Sequence, residues 1–97
     1  MLREIKWSTR AIQEWVEILE YWIERNKSNI YSLKLDHLFK ASFAIIATSP
    51  EIGRPTDFPH VRIKIIRDYI VYYRITPENI EILTVRDSRR DPKKFNL

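Results

Sequence analysis

Up to Ser49 the apolar residues recur at three- and four-residue steps, and from Val61 to Val85 they recur at every second position. That one change of period commits the first half of the chain to helices and the second half to strands. The switch falls in Pro50-Glu51-Ile52-Gly53-Arg54-Pro55-Thr56-Asp57-Phe58-Pro59-His60, which holds three of the five prolines and the only glycine. A loop is expected there, with the lone glycine supplying a backbone position of positive φ.

The elements on either side can be placed from local signals. Ile5 and Trp7, flanked by Arg3, Glu4 and Lys6, read as a short strand. Ser8 is a good N-cap for a helix of about 17 residues. On that helix Ile12, Trp15, Val16, Leu19, Trp22 and Ile23 form one stripe, with Glu14, Glu17, Glu20 and Glu24 turned away from its centre. Three aromatics at helical spacing are expected to pack in the core. Arg25 to Asn29 breaks the pattern, and Ser28 or Asn29 can cap a second helix whose face is Leu35, Leu38, Phe39, Ser42, Ile45 and Ile46. So short a break implies an antiparallel hairpin. Val61 to Ile65, Tyr69 to Ile75 and Ile80 to Val85 then read as strands joined by tight turns. The expected fold is α+β in the order β-α-α-β-β-β, a helical hairpin packed on one face of a small antiparallel sheet.

Length fits one domain over residues 1–97, able to bury about 60–65% of its unfolded surface. There is no cysteine, which excludes disulfides and thiolate metal sites. Neither a metal nor a cofactor is expected. No apolar run approaches a membrane span, and the charged start lacks the apolar core of a signal peptide, so a cytoplasmic protein without a membrane partner is expected. The net charge of +4 is concentrated late in the chain: residues 1–50 carry seven Lys/Arg against six Asp/Glu, and residues 51–97 carry ten against seven.

That late excess culminates in Arg86-Asp87-Ser88-Arg89-Arg90-Asp91-Pro92-Lys93-Lys94, directly after the last strand. A solvated end is the ordinary fate of such a run. A strand that delivers guanidiniums to its own end can also fix a polyanion or the carboxylates of a partner.

The ordered set of motifs resembles the RelE/ParE superfamily of bacterial toxins. It comprises the opening strand running into Trp7-Ser8 and the long helix, and Ile52-Gly53-Arg54-Pro55 after the second helix. It continues with Val61-Arg62, Tyr69-Ile70-Val71-Tyr72-Tyr73-Arg74-Ile75, and Ile80 to Pro92. Each motif is short; their order across about 90 residues is what is specific. The resemblance implies a growth-arresting toxin of a type II toxin–antitoxin system, silenced by a cognate antitoxin that folds as it wraps the toxin. RelE-like members enter the ribosome and cut mRNA. ParE-like members bind and poison DNA gyrase.

Metal-free RNA cleavage needs a proton acceptor for the attacking 2′-OH, a proton donor for the leaving oxygen, and cations for the phosphorane. Cations are plentiful. Acid–base groups are sparse, because no His or Tyr follows Tyr73. A nuclease would draw on Arg62, Arg86, Asp87 and His60, and arginine is a poor proton donor. His37, inside the second helix, reads as a surface residue. Poisoning by binding needs only a shaped, charged surface, for which Arg54, Arg62, Tyr73, Arg74, Arg86, Arg89, Arg90, Lys93 and Lys94 are the candidates. Alternation sets Tyr72 opposite Tyr69 and Tyr73, so at least one of the three is core. The ParE-like reading is favoured, with a RelE-like mRNA endonuclease as the alternative and a degenerate or RNA-binding relative behind both. The antitoxin is expected to be acidic in its toxin-binding half and to lie near Arg62, Arg74 and Arg86. Lys64 and Arg62 are placed to guard a sheet edge until it arrives.

Overall fold

A computed structural model describes residues 2–89. In chain order it forms β1 (Glu4–Trp7), α1 (Thr9–Asn26), α2 (Ile30–Thr48), a 3-10 turn (Pro50–Ile52), β2 (Arg54–Pro55), β3 (Val61–Ile66), β4 (Tyr69–Ile75) and β5 (Asn79–Asp87). One five-stranded sheet runs β1-β5-β4-β3-β2. Two features differ from the sequence expectation. The expected loop contains the two-residue strand β2, paired antiparallel to β3. And β1 pairs parallel to β5, so the sheet is mixed. Only the meander is visible in local turn signals; β1 reaches its neighbour across about 75 residues, a pairing that no local signal encodes.

Ser8 caps α1 as expected, its Oγ accepting from the Ala11 N–H at 3.0 Å. Lys27 ends the helix in the left-handed region, and Ser28 Oγ accepts from the Ile30 N–H at the start of α2. Inside the hairpin, the buried Ser32 hydroxyl donates to the Leu19 carbonyl at 2.8 Å. The helices are rotated relative to the expected stripes. Ala11, Trp15, Ile18, Leu19 and Trp22 face the core, whereas Ile12, Val16 and Ile23 are exposed. On α2 the buried set is Leu35, Phe39, Phe43, Ile46 and Ala47, while Ile45 stays outside with Ile30 and Leu33. The aromatics decide the rotation. Trp15 stacks on Phe39 with ring centroids 4.1 Å apart, and Trp22 Nε1 donates to the Tyr69 hydroxyl at 2.7 Å.

Gly53 corrects another expectation. Its φ is −74° and its ψ 161°, ordinary extended backbone, and among the described residues the left-handed positions belong to Lys27, His60 and Arg67. What Gly53 provides is space, because its N–H donates to the Tyr73 hydroxyl at 3.0 Å and that hydroxyl donates on to the Pro50 carbonyl at 2.6 Å. The loop is thereby latched to the centre of the sheet.

Tyr69 and Tyr73 are both buried, and burial pushes both phenols above the ordinary tyrosine pKa, against the lowering effect of the Trp22 and Gly53 hydrogen bonds. The folded state therefore favours the neutral phenol. The stability this contributes is complete below the unfolded tyrosine pKa near 10 and is lost as pH rises through the higher folded values. These two phenols should leave the melting temperature unchanged from neutral pH to about pH 9.5 and lower it above that. A melting curve that stays level across tyrosinate formation would contradict this.

Candidate functional site

The register of the sheet sorts the arginines by face. Arg62, Lys64 and Ile66 stand opposite Tyr73, Val71 and Tyr69, so all six share the face covered by the helices. The other face carries Arg54 beside Ile63, Ile63 beside Tyr72, Ile65 beside Ile70, and Ile70 beside Arg86. Arg74, two residues beyond Tyr72, lies on this same open face. Arg54, Arg74 and Arg86 thus surround a patch built from Ile63, Ile65, Ile70 and Tyr72. Ile65 is 55% exposed. Arg74 and Arg86 stand at opposite ends, four residues apart along β4, or about 13 Å. An apolar patch with a tyrosine at its centre and guanidiniums around it has the composition of a protein-docking hot spot.

The remaining candidates fall elsewhere. Arg62 is a strut: Nη1 donates to the Gly53 carbonyl at 2.7 Å and to the Glu51 carbonyl at 3.1 Å. Tyr73, expected at the target-facing surface, is completely buried in the latch with Gly53 and Pro50. Arg89 makes a two-point contact to Asp87, Nε to Oδ1 at 3.0 Å and Nη2 to Oδ2 at 2.9 Å, and lies 3.8 Å from Asp68. The Asp87 hydrogen bond pushes the Arg89 pKa further up, so the cation is fixed and largely offset. Arg90, Lys93 and Lys94 lie outside the described residues. His37 is exposed on α2, as expected.

The four residues a nuclease would use are divided between two clefts. His60 and Arg62 line one of about 360 Å³, together with Glu51 and Asp57. Arg86 and Asp87 line another of about 650 Å³ between α1 and the end of β5, with Glu17, Tyr21 and Arg89. Arg62 and Arg86 are three residues apart along β4, about 10 Å, and line different clefts. The two pairs do not share one cleft. Among the described residues no cluster of His, Asp or Glu could hold a metal, and no helix is long and apolar enough to cross a membrane.

One residue at the second cleft departs from the solvent-facing position expected of it. Glu14 Oε1 accepts from the Thr84 hydroxyl at 2.6 Å and from the Val85 N–H at 3.0 Å, while Arg10 Nε lies 3.4 Å from Oε2. In sequence it is one of four glutamates on a helix, and nothing marks it out from the others.

The chain's similarity to known proteins accords with its fold. The family model described as ParE toxin of type II toxin–antitoxin system, parDE, matches residues 5–92. No curated protein sequence matches the chain. Among solved structures the chain is similar to the chromosomal ParDE toxin–antitoxin system from P. aeruginosa, with TM-score 0.74 and 18% identity over 89% of this chain and 96% of that one. It is also similar to the E. coli DinJ–YafQ toxin–antitoxin complex, with TM-score 0.56 and 11% identity over 92% and 96% of the two chains. YafQ from E. coli gives TM-score 0.52 and 15% identity over 90% and 94%. At such identities these structures establish the fold.

Proposed function

The chain belongs to the ParE toxin family of type II toxin–antitoxin systems, within the RelE/ParE superfamily, and from this we propose that it arrests growth by binding and poisoning DNA gyrase. The observation that carries the choice of target is the separation of the nuclease candidates. His60 and Arg62 face one cleft, Arg86 and Asp87 another, and Arg62 is already committed to two carbonyls. Phosphodiester cleavage needs base, acid and cation around one phosphorus, and this arrangement does not supply them. Poisoning by binding requires a docking surface, and the arginine-ringed open face of the sheet has the right composition for one.

A cognate antitoxin is the second partner. The solved relatives include a ParDE system and a DinJ–YafQ complex. On this chain the outward side of the helical hairpin leaves Ile12, Val16, Ile23, Ile30, Leu33 and Ile45 exposed. Exposed apolar side chains of this kind suit the apolar face of an amphipathic helix that orders on binding.

Inducing the protein alone in cells tests the target. Plasmid topology and mRNA 5′ ends are collected from the same cultures. Altered supercoiling or double-strand breaks with intact mRNA are expected. Codon-specific cuts in translated messages with normal topology would replace gyrase by the ribosome, and would require His60 and Arg62 to act without Arg86 and Asp87.

A further inference from the structure

β1 ends at Trp7, opposite Ile82, but β5 continues to Asp87. Among the described residues, no strand pairs with the last five residues of β5 on the β1 side, and the backbone groups there need other partners. The first turns of α1 supply them. Ser8 N–H donates to the Ile82 carbonyl at 3.0 Å, and Ser8 Oγ donates to the Leu83 carbonyl at 2.9 Å. One turn and a half further along, Glu14 Oε1 takes the Val85 N–H and the Thr84 hydroxyl together.

The same stretch of β5 is irregular. Tyr73 pairs with Ile82 and Tyr72 with Thr84, so Leu83 is an extra residue in the strand. A bulge of this kind bends the strand and re-aims the residues beyond it. Here those residues include Arg86, Asp87 and Arg89. Thr84 is completely buried, and its hydroxyl finds its acceptor in Glu14. The carboxylate divides its work, with Oε2 toward Arg10 and Oε1 toward the strand.

We propose that Glu14 is a positioning residue for the target-binding face: by replacing a missing strand neighbour at the bulge of β5, it fixes where Arg86 stands at the edge of the open-face patch. This rests on the reading of that face as the docking surface. Glu14 touches the strand and not the target, and its effect reaches the target through Arg86.

The test compares Glu14→Ala, Glu14→Gln, Ser32→Ala and Arg86→Ala in the full chain. Three quantities are read for each: survival after induction, melting temperature, and amide hydrogen exchange at residues 84–87. Glutamine keeps an oxygen acceptor at the same reach, so Glu14→Gln should retain toxicity and slow exchange. Glu14→Ala leaves the Thr84 hydroxyl and Val85 N–H unpaired, so exchange at 84–87 should speed up and toxicity should fall by about tenfold or more. Ser32→Ala removes a buried hydrogen bond within the hairpin and none on β5; it should lower the melting temperature and leave both exchange at 84–87 and toxicity unchanged. If Glu14→Ala melts too low for the comparison, Thr84→Val removes one of the two bonds and should give a smaller change in the same direction.

Unchanged exchange at 84–87 in Glu14→Ala would overturn the positioning role whatever the toxicity. So would equal losses of toxicity in Glu14→Ala and Ser32→Ala, or a Glu14→Gln variant as impaired as Glu14→Ala. Faster exchange in Glu14→Ala together with full toxicity in Arg86→Ala would leave the bond network standing. It would overturn instead the reading of the open face as the docking surface, and with it the functional part of the proposal.

Discussion

Gly53→Ala is expected to cost the protein about 2–6 kcal/mol, a large share of the roughly 5–15 kcal/mol that holds a domain of this size together. A Cβ built on Gly53 would collide with the Tyr73 hydroxyl, and it would stand 2.7 Å from the Ile63 carbonyl and 2.9 Å from Tyr73 Cε1. None of these can retreat cheaply. The carbonyl is strand backbone, and Tyr73 is completely buried between the sheet and the helices. Overpacking of this kind costs about 1–3 kcal/mol, and the Gly53 N–H and Pro50 carbonyl lose a shared partner if the phenol is driven aside, about 1–3 kcal/mol more. Urea unfolding reads the loss directly. Tyr73→Phe alone should cost about 1–3 kcal/mol by stranding both backbone groups. In the double variant the two losses should sum to less than their separate values, because removing the oxygen removes the nearest obstacle. A Gly53→Ala protein within about 0.5 kcal/mol of the parent would show that the loop relaxes freely and that no latch exists.

Arg74→Ala/Arg86→Ala should abolish growth arrest while the protein stays folded. An arginine at the edge of an apolar docking patch commonly accounts for about 2 kcal/mol of binding, so losing two should weaken target affinity by about a thousandfold. The structural cost at Arg74 is small. Arg74 makes one long contact to Glu81, 3.4 Å on the open surface, and such pairs contribute little to stability. Survival after induction, retention on immobilised gyrase and a melting curve form the measurement. Arg62→Ala offers the contrast: its side chain holds the Glu51 and Gly53 carbonyls, so it should lower the melting temperature before it changes target affinity. Full toxicity from the Arg74/Arg86 double variant, at an unchanged melting temperature, would move the docking surface off the open face of the sheet.

The legibility of this chain divides by range. The N-cap at Ser8, the break after Asn26, the turn at Arg67-Asp68 and the alternation in β4 are properties of neighbours a few residues apart, and each is readable in the sequence. The rotation of the helices is less so. α2 is apolar on nearly every side, so its periodicity does not identify the buried face; contact with Trp15 and Tyr69 does. Alternation rightly separates Tyr72 from Tyr69 and Tyr73, but does not say which face the helices cover. For that reason Tyr73 is expected at a surface, whereas Tyr72 holds the open position. Gly53 stands out in the sequence as the right residue for the wrong reason, since a close approach from 20 residues away leaves no local mark.

Local order in the sequence thus determined the element types, the helical hairpin, the meander and the family they jointly resemble, because hydrogen bonding within helices and tight turns depends on residues close in the chain. The tertiary structure alone decided which arginines share a face, that Arg62 is a strut, and that Glu14 finishes the edge of β5. Those facts depend on a parallel pairing between the first strand and the last and on one extra residue at Leu83, and each such long-range register reverses or preserves the side a residue presents without altering the local pattern around it.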